Sequence, residues 1–372
     1  MIHFSQAQIA SDFNSVDEKF KEIVVSNNPT GLASVVIKGD EIIWQCALGN
    51  ANIESKTPMS IDRIMPIASI SKTFTATATM QLWEQGLIDL KADVSEYVGF
   101  KVRNPKYPEV PISIQQILTH TSSISDNKFY DNSYTCGDPT IPLKDWVTGY
   151  LTPNGKYFSR GSFLKTKPGE KYEYSNVAFG LLGYIVESVS KTPFNVYCKQ
   201  NIFHPLGMEK TGWFIHEIDT NNYITQYSEK WYPKHLGMGK LDKSADNKEV
   251  PLCVYSFPNY PDGLIRTSVR ELSYFMTAFI NDGTLNGKSI LKKSTIDKML
   301  TPQIEDNDWQ GLCFYRTDSL WGHSGGDPGV RTNMLFSRDQ KHGYIAFENG
   351  QKVIWNQKYR IITKMKGIIV SE

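Results

Sequence analysis

Residues 66–76 read PIASISKTFTA and contain a serine, Ser69, followed three positions later by a lysine, Lys72. The run continues without proline and predicts a helix that ends near Gly86. Positions i and i+3 share one helix face, so the ammonium of Lys72 is expected beside the hydroxyl of Ser69. Free N–H groups and the positive dipole at a helix start favour a developing oxyanion. This segment therefore has the residue types that a serine nucleophile needs.

The Ser-x-x-Lys pattern is a weak signal by itself, because it occurs five times in the chain. The other copies begin at Ser125, Ser162, Ser188 and Ser289. Each of these is interpreted as a solvated serine and lysine on a helix face. The copy at Ser69 differs in context, since it follows an apolar strand-like run, is flanked by Ala68 and opens a helix rich in small residues.

Residues 174–176 read Tyr-Ser-Asn and form a second pattern with chemical meaning. The oxygen of Tyr174 can accept or relay a proton, and the side chain of Asn176 can bind a substrate amide through a donor and an acceptor at once. This copy begins a predicted apolar helix over residues 176–190. A second Tyr-x-Asn copy, which begins at Tyr130, lies in polar sequence and is interpreted as a surface loop.

Residues 323–326 read His-Ser-Gly-Gly and lie between two strand-like runs. Ser324 and Gly325 are small, so a substrate can lie against this strand edge, where a backbone N–H could complete an oxyanion hole. A lone histidine such as His323 is more often structural. The similar Lys-Thr-Gly at residues 210–212 follows a loop-like segment and is not interpreted as part of a site.

The predicted elements run in the order strands, helical region, strands. Two β-rich runs flank a predicted hairpin turn at residues 38–40, and Ser268 with Glu271 forms a capping box for a helix. Three more strand-like runs are SLWGHS, RTNMLFS and HGYIAFEN, in residues 319–349. Terminal helices are predicted over residues 14–27 and around residues 361–365.

The sequence therefore predicts an α/β (α+β) fold, with an antiparallel sheet flanked by helices. Residues 1–90 and 261–372 are expected to form one discontinuous sheet domain, and residues 91–260 a mostly helical insert. A cut into sequential domains would separate Ser69 from His323. At about 150 residues per domain, 372 residues also favour two such regions.

The charge balance limits the partners. Forty Lys and Arg against 39 Asp and Glu give a net charge of +1, which removes the electrostatic attraction that nucleic-acid or polybasic membrane binding requires. The apolar run at residues 178–186 is too short to span a bilayer. Residues 1–13 show no signal-peptide pattern, so a cytoplasmic location is expected, or a secreted or periplasmic one if a leader precedes them. Nothing in the sequence sets the oligomeric state.

The cysteines and histidines predict no metal site or cofactor. The five cysteines are odd in number, far apart and without a C-x-x-C pair, so neither a zinc site nor a disulfide framework is expected. The seven histidines are scattered, without an H-E-x-x-H motif. The five cysteines are Cys46, Cys136, Cys198, Cys253 and Cys313.

Taken together, Ser-x-x-Lys, Tyr-x-Asn and His-Ser-Gly in this order resemble the serine β-lactamase and penicillin-binding protein superfamily. The phrases QILTHTSSI, PGEKYEYSNVAFGLLG, IFHPLGMEKTGW and GHSGGDPGV support the resemblance across about residues 60–350. The similar branches are class C β-lactamases, DD-peptidases, esterases and D-aminopeptidases.

The resemblance implies a role for each motif residue. Ser69 would be the acylated nucleophile, and either Lys72 or Tyr174 would be the base. For Lys72 this requires a pKa well below about 10.4, and for Tyr174 a pKa well below about 10. Asn176 would bind a substrate amide or support Lys72. The N–H groups of Ser69 and Gly326 would form the oxyanion hole, while His323, Ser324 and Gly325 would contact the substrate.

The sequence also departs from its relatives. His323 stands where many β-lactamases have lysine, and an imidazole is a weaker carboxylate anchor, which favours a peptidase or esterase. Ser123 occupies a position that is usually glycine, so the backbone there is expected to differ slightly. No Glu-x-x-Leu-Asn segment is present, and Glu170 and Glu173 are interpreted as loop charges. Class A β-lactam turnover is therefore not supported.

The leading hypothesis is a serine hydrolase that forms an acyl-enzyme on Ser69 and cleaves an ester, a D-amino-acid amide or peptide, or a β-lactam. The partner is then a small molecule or a peptide. Two alternatives stay open at this stage. One is a non-catalytic ligand-capturing or sensor domain of the same fold, and the other is an acyltransferase, because a fold does not fix a function.

Overall fold

The computed structural model describes residues 30–228 and 250–350. An antiparallel sheet of seven strands lies at its centre. In sheet order the strands are β12 (Tyr315–Thr317), β13 (Leu320–Asp327), β14 (Val330–Ser337), β15 (His342–Glu348), β1 (Gly31–Lys38), β2 (Glu41–Asn52) and β3 (Thr57–Pro58). The predicted fold class, an antiparallel sheet with helices, is confirmed.

Strand β1, which lies inside the sheet between β15 and β2, joins the two ends of the described chain. Its sequence, GLASVVIK, is buried on both faces, which fits a continuous apolar run rather than an alternating one. Leu32 pairs with Glu348 of β15, and Lys38 pairs with Glu41 of β2 across the predicted hairpin. The hairpin and the three strand-like runs of residues 319–349 are confirmed. The domain boundaries at residues 90 and 261 stay a prediction.

Short strand pairs and ten α-helices complete the described parts of the chain. The remaining strands are β4 (Met65–Pro66), β5 (Thr135–Cys136), β6 (Tyr227–Ser228), β7 (Val250–Pro251), β8 (Tyr255–Ser256), β9 (Arg266–Thr267), β10 (Thr284–Leu285) and β11 (Lys288–Ser289). The α-helices are α1 (Ser71–Glu84), α2 (Ser95–Val98), α3 (Ile114–Leu118), α4 (Lys128–Asp131), α5 (Leu143–Leu151), α6 (Asn176–Ser190), α7 (Phe194–Cys198), α8 (His204–Leu206), α9 (Val269–Ile280) and α10 (Lys293–Met299).

Helix α1 lies in the interior, and every residue from 71 to 82 is buried. Its threonines are accommodated because their hydroxyls donate to backbone carbonyls, so that no hydroxyl hydrogen is left without an acceptor. Thr77 donates to Thr73 O at 2.8 Å, and Thr75 donates to Pro261 O at 2.6 Å. The second bond ties α1 to the segment around residue 261.

Helix α6 packs against the same segment through two glycines. A Cβ on Gly180 would lie 1.8 Å from Asn259 Oδ1, and one on Gly183 would lie 2.4 Å from Pro261 Cγ. Any larger side chain would therefore push residues 259–262 away from α6. The helices predicted after Ser69, at residues 176–190 and after Ser268 are confirmed, and Ser268 Oγ accepts from Glu271 N at 3.1 Å.

The expectation that the cysteines form no disulfide is wrong for one pair. Cys136 and Cys253 are bonded, with Cα atoms 5.7 Å apart and 117 positions between them in the sequence. The pairing of β5 with β8 brings them together, and such a long-range contact leaves no trace in cysteine spacing. The terminal helices predicted at residues 14–27 and 361–365 lie outside the described residues.

Candidate active site

Ser69 lies at a sharp turn between a strand and a helix. It belongs to a single 3₁₀ turn, Ala68–Ile70, directly before α1. Ala68 has φ +48°, a left-handed conformation that costs a residue with a Cβ about 1–2 kcal/mol. The turn places Lys72 in the first turn of α1, where its Nζ donates to Ser69 Oγ at 3.2 Å. The predicted neighbourhood of these two side chains is present.

Lys72 is completely buried, and its Nζ has three hydrogen-bond acceptors. Besides Ser69 Oγ, these are Asn176 Oδ1 at 2.7 Å and the backbone O of Asp262 at 2.8 Å. Burial lowers the pKa of Lys72, because the charged form loses its hydration, while the charges of Asp262 and Asp126 act in the opposite direction. The net effect moves the amine toward the range in which it can accept a proton.

Tyr174 lies beside the same amine, with its ring centroid 4.9 Å from Lys72 Nζ. The residue as a whole is 37% exposed, but its phenol oxygen is buried near Ser69 and the fully buried Lys72. Desolvation raises the pKa of the Tyr174 phenol well above its usual value, although a hydrogen bond with Ser69 lowers it in part. The pKa shifts of the two candidate bases therefore point in opposite directions.

Asn176 is held from both ends of its amide. Its Oδ1 accepts from Lys72, and its Nδ2 donates to Asp126 Oδ2 at 2.8 Å. Asp126 also accepts from the N–H groups of Asn176 and Val177, each at 3.0 Å, and from Ser175 Oγ at 3.1 Å. A carboxylate at the N-terminus of α6 satisfies donors that the helix itself leaves free.

Sequence reasoning missed Asp126 and His120, because both act on residues about 50 positions away. Tyr174 stacks on His120, with ring centroids 4.3 Å apart, and His120 Nδ1 accepts from Ser175 N at 3.2 Å. Burial lowers the pKa of His120 well below its usual value, so the ring is neutral at physiological pH. The only signal available was the sequence QILTHTSSISD that contains them.

Ser123 adopts the backbone that glycine would favour. Its φ is +63°, in the left-handed region, and its Oγ accepts from Asn104 Nδ2 at 3.1 Å. The serine therefore keeps the glycine-type conformation rather than changing it. This hydrogen bond is local compensation for the strain that a Cβ introduces there.

Strand β13 brings His323, Ser324 and Gly325 against the Ser69 turn. A Cβ on Gly325 would lie 2.3 Å from Ile67 O and 2.3 Å from Thr332 Oγ1, so only glycine allows this approach. Thr332 Oγ1 itself donates to Ile67 O at 2.8 Å. Gly326 follows and is exposed, at the position expected to supply the second oxyanion N–H.

His323 is buried and neutral. Its Nδ1 lies 2.6 Å from Ser324 O, and its ring centroid is 6.3 Å from that of Tyr174. Burial, together with the nearby positive charge of Lys72, lowers the pKa of His323 to about 3. At neutral pH it therefore provides no cation for a substrate carboxylate.

Tyr130 is not in a surface loop, and that interpretation is wrong. It lies in α4, is 7% exposed, and its hydroxyl donates to Asp262 Oδ2 at 2.5 Å. Asp262 Oδ2 in turn lies 3.8 Å from Lys72 Nζ. Tyr134, in the same segment, donates to Asp327 Oδ1 at 2.9 Å. No local sequence pattern indicates that these tyrosines contact buried carboxyl groups.

The other copies of the motifs lie outside this site. The interpretation as a solvated serine is wrong for Ser162, which is buried and accepts from Asn127 Nδ2 at 2.9 Å. Thr211, of the Lys-Thr-Gly copy, donates to Glu271 Oε2 at 2.6 Å in the interior. Glu173 forms an exposed ion pair with Lys171 at 2.8 Å, and Glu170 accepts from Lys167 N at 2.9 Å, as expected of loop charges. Within the described ranges, no group of three or more His, Cys, Asp or Glu could hold a metal ion.

The sequence matches the family described as Beta-lactamase over residues 16–363. The chain belongs to this family. The match extends across nearly the whole chain, so the resemblance inferred from the three motifs is confirmed.

Two curated relatives illustrate the range of the family. The D-alanyl-D-alanine-carboxypeptidase/endopeptidase AmpH of Escherichia coli (strain K12) is 30% identical over 207 residues, which are 56% of this chain and 51% of that protein. Penicillin-binding protein 4* of Bacillus subtilis (strain 168) is 26% identical over 333 residues, or 87% of this chain and 68% of that protein. The chain thus spans only about half of the first relative's length.

Solved structures show the same fold. A D-amino acid amidase from Ochrobactrum anthropi SV3, solved in complex with L-phenylalanine, superposes with a TM-score of 0.73 at 19% identity, covering 96% of this chain and 99% of that one. An octameric penicillin-binding protein homologue from Pyrococcus abyssi superposes with a TM-score of 0.70 at 25% identity, covering 92% of this chain and 74% of that one.

In the described parts of the chain, no helix has the length and apolar character needed to cross a membrane.

Proposed function

We propose that this chain is a serine hydrolase that is acylated on Ser69. The observation that carries the proposal is the contact between Lys72 Nζ and Ser69 Oγ at 3.2 Å, with the lysine fully buried and its pKa lowered. An amine that is neutral at working pH can take the hydroxyl proton while the oxygen attacks a carbonyl carbon.

Lys72 is the better candidate for the base. Burial lowers its pKa, whereas burial raises the pKa of Tyr174, so at neutral pH the phenol holds its proton. In this mechanism Lys72 removes the proton of Ser69, and the Oγ–carbon bond forms. Tyr174 gives its own proton to the leaving group as the scissile bond breaks, and the resulting phenolate takes a proton from the ammonium of Lys72, which restores both groups. Asn176 supports Lys72 in the resting site, because its Oδ1 accepts from the amine.

The negative oxygen of the tetrahedral intermediate would accept from the N–H groups of Ser69 and Gly326. The packing of Gly325 against Ile67 O supports this, since it brings the strand of Gly326 next to the turn of Ser69. Preorganised N–H donors of this kind contribute about 3–4 kcal/mol each to transition-state binding. Water then hydrolyses the acyl-enzyme.

An ester, or an amide or peptide of a D-amino acid, fits this site better than a β-lactam. His323 is neutral, with a pKa of about 3, so it offers no positive charge to the carboxylate that β-lactams carry. The names endopeptidase and D-amino acid amidase among the relatives fit this class, whereas a carboxypeptidase substrate carries a terminal carboxylate that a neutral His323 does not attract.

Labelling with a fluorophosphonate tests the proposal without a known substrate. We expect one phosphonyl adduct on Ser69 by peptide mass spectrometry, and none in Ser69→Ala. Ser289→Ala is the matched control, because Ser289 begins an exposed copy of the same motif on β11 and its loss should leave labelling unchanged. An intact protein mass with every fluorophosphonate, ester and β-lactam probe would contradict the proposal. Substrate panels of p-nitrophenyl esters, D-aminoacyl anilides and nitrocefin then separate the classes.

A further inference from the structure

A buried carboxyl group, that of Asp262, lies next to Lys72. The backbone O of Asp262 accepts from Lys72 Nζ at 2.8 Å, and its side-chain Oδ2 is 3.8 Å from the same nitrogen. Asp262 is 1% exposed. Two charged groups at this separation inside a protein interact strongly, because little water screens them.

The two oxygens of the Asp262 carboxyl group differ in their hydrogen bonds. Oδ2 accepts from Tyr130 Oη at 2.5 Å, but Oδ1 is buried and finds no hydrogen-bond partner among the residues that the structure describes. A buried acceptor without a donor carries a desolvation cost. Burial raises the pKa of Asp262 to about 7, while Lys72 and Tyr130 favour the charged form. The carboxyl group therefore titrates close to neutral pH.

Other titratable groups face this pair from the surrounding elements. Asp126 and Asp327, where ionised, raise the pKa of Lys72, and burial raises the pKa of Asp327 itself to about 7. His120 and His323 are neutral, because burial lowers the pKa of both. Burial also raises the pKa values of Cys313, Tyr134 and Tyr174, so the thiol and the two phenols keep their protons at neutral pH. Of the acids, Asp262 has the largest effect on Lys72.

We propose that Asp262 is a positioning residue that sets the protonation state of Lys72, and with it the lower pH limit of Ser69 acylation. This inference rests on the proposed function of Ser69 and Lys72. While Asp262 is ionised it stabilises the ammonium of Lys72, so the lysine loses its proton, and becomes able to act as a base, only at a higher pH. When a proton moves from Nζ to the carboxylate, one N–H bond breaks, one O–H bond forms, and both groups become neutral without any further reactant. Tyr130 controls this exchange, since its hydroxyl stabilises the ionised carboxylate.

The test is the pH dependence of fluorophosphonate labelling of Ser69, measured as a second-order rate constant from pH 4.5 to 9.5. In Asp262→Asn the neighbouring anion is absent, so Lys72 loses its proton at lower pH. The acidic limb of the pH–rate profile should therefore move to lower pH. For a unit charge 3.8 Å away the shift is about one pH unit if water screens the charge fully and about three if it screens the charge only in part. A role in packing alone would lower the rate at every pH without moving the limb.

A second variant keeps the test valid if Asp262→Asn does not fold, which circular dichroism would show. Tyr130→Phe retains the ring and removes only the donor to Oδ2, so the acidic limb should again move to lower pH, by less. Tyr134→Phe is the matched control, because the hydroxyl of Tyr134 donates to Asp327 instead. The acidic limb of the pH profile should move least in this variant. A limb that stays in place, or moves to higher pH, in folded Asp262→Asn or Tyr130→Phe would overturn the inference. An unlabelled wild-type protein would instead overturn the proposed function.

Discussion

The close approach of β13 to the nucleophile makes Gly325→Ala an informative perturbation. The added Cβ would lie 2.3 Å from Ile67 O and 2.3 Å from Thr332 Oγ1, each about 1 Å inside ordinary contact distance for carbon and oxygen. Because Ile67 O belongs to the backbone just before Ser69, neither side can yield without moving the strand or the turn. Overpacking of this kind costs about 1–3 kcal/mol in the free energy of unfolding.

The rate of acylation should fall as well as the stability. If β13 retreats by about 1 Å, the N–H of Gly326 no longer meets the developing oxyanion, and a displacement of that size costs about 100-fold in rate. Gly326→Ala is the matched control for stability, since its Cβ would lie 3.5 Å from its nearest neighbour, Arg331 Nη1. Thermal unfolding and the fluorophosphonate labelling rate measure the two quantities. If Gly325→Ala labels within about threefold of wild type, the assigned packing of strand against turn is wrong.

Three further predictions follow from the charges and the disulfide. Replacing Asp126 with Asn puts an NH₂ group against the donors at the start of α6 and releases the amide of Asn176. The labelling rate should therefore fall about 10-fold or more, and the free energy of unfolding in urea should fall by about 1–3 kcal/mol. An unchanged rate and an unchanged free energy of unfolding would contradict the role of Asp126. His323 has a pKa of about 3, below its usual 6.5, so the unfolded chain binds more protons between these values and stability is lost as the pH falls through that window. His323→Asn should flatten this dependence in urea unfolding, and parallel curves would refute it. The disulfide Cys136–Cys253 joins cysteines 117 positions apart, and its reduction should lower the free energy of unfolding by about 2–5 kcal/mol. Equal melting temperatures of the reduced and the oxidised protein in calorimetry would contradict this prediction.

Much of the fold follows from local patterns that the sequence shows directly. The β1 run GLASVVIK is buried on both faces, and the helix after Ser175 is apolar over AFGLLGYIV. Each signal depends on residues within one turn or one strand, so propensity and periodicity detect it. The order of the three motifs similarly indicated the family, because each motif is a short stretch of chain.

The surroundings of the lysine could not be predicted in this way. Asp126 meets Asn176 across 50 positions, and Tyr130 meets Asp262 across 132. The polar neighbours of Tyr130 in the sequence indicate a surface loop, but burial depends on what packs over a residue rather than on what precedes it. The same reason explains the missed disulfide.

By itself, the sequence determined the long strands of the sheet, the helices after Ser69, Ser175 and Ser268, the order of the motifs and the chemical types that they contain, since all of these are local. Only the tertiary structure decided the protonation chemistry. Burial lowers the pKa of Lys72 and raises that of Tyr174, and it places an ionisable carboxyl group 3.8 Å from the amine. A pKa depends on the hydration a group loses and the charges it meets, and residues distant in sequence supply both.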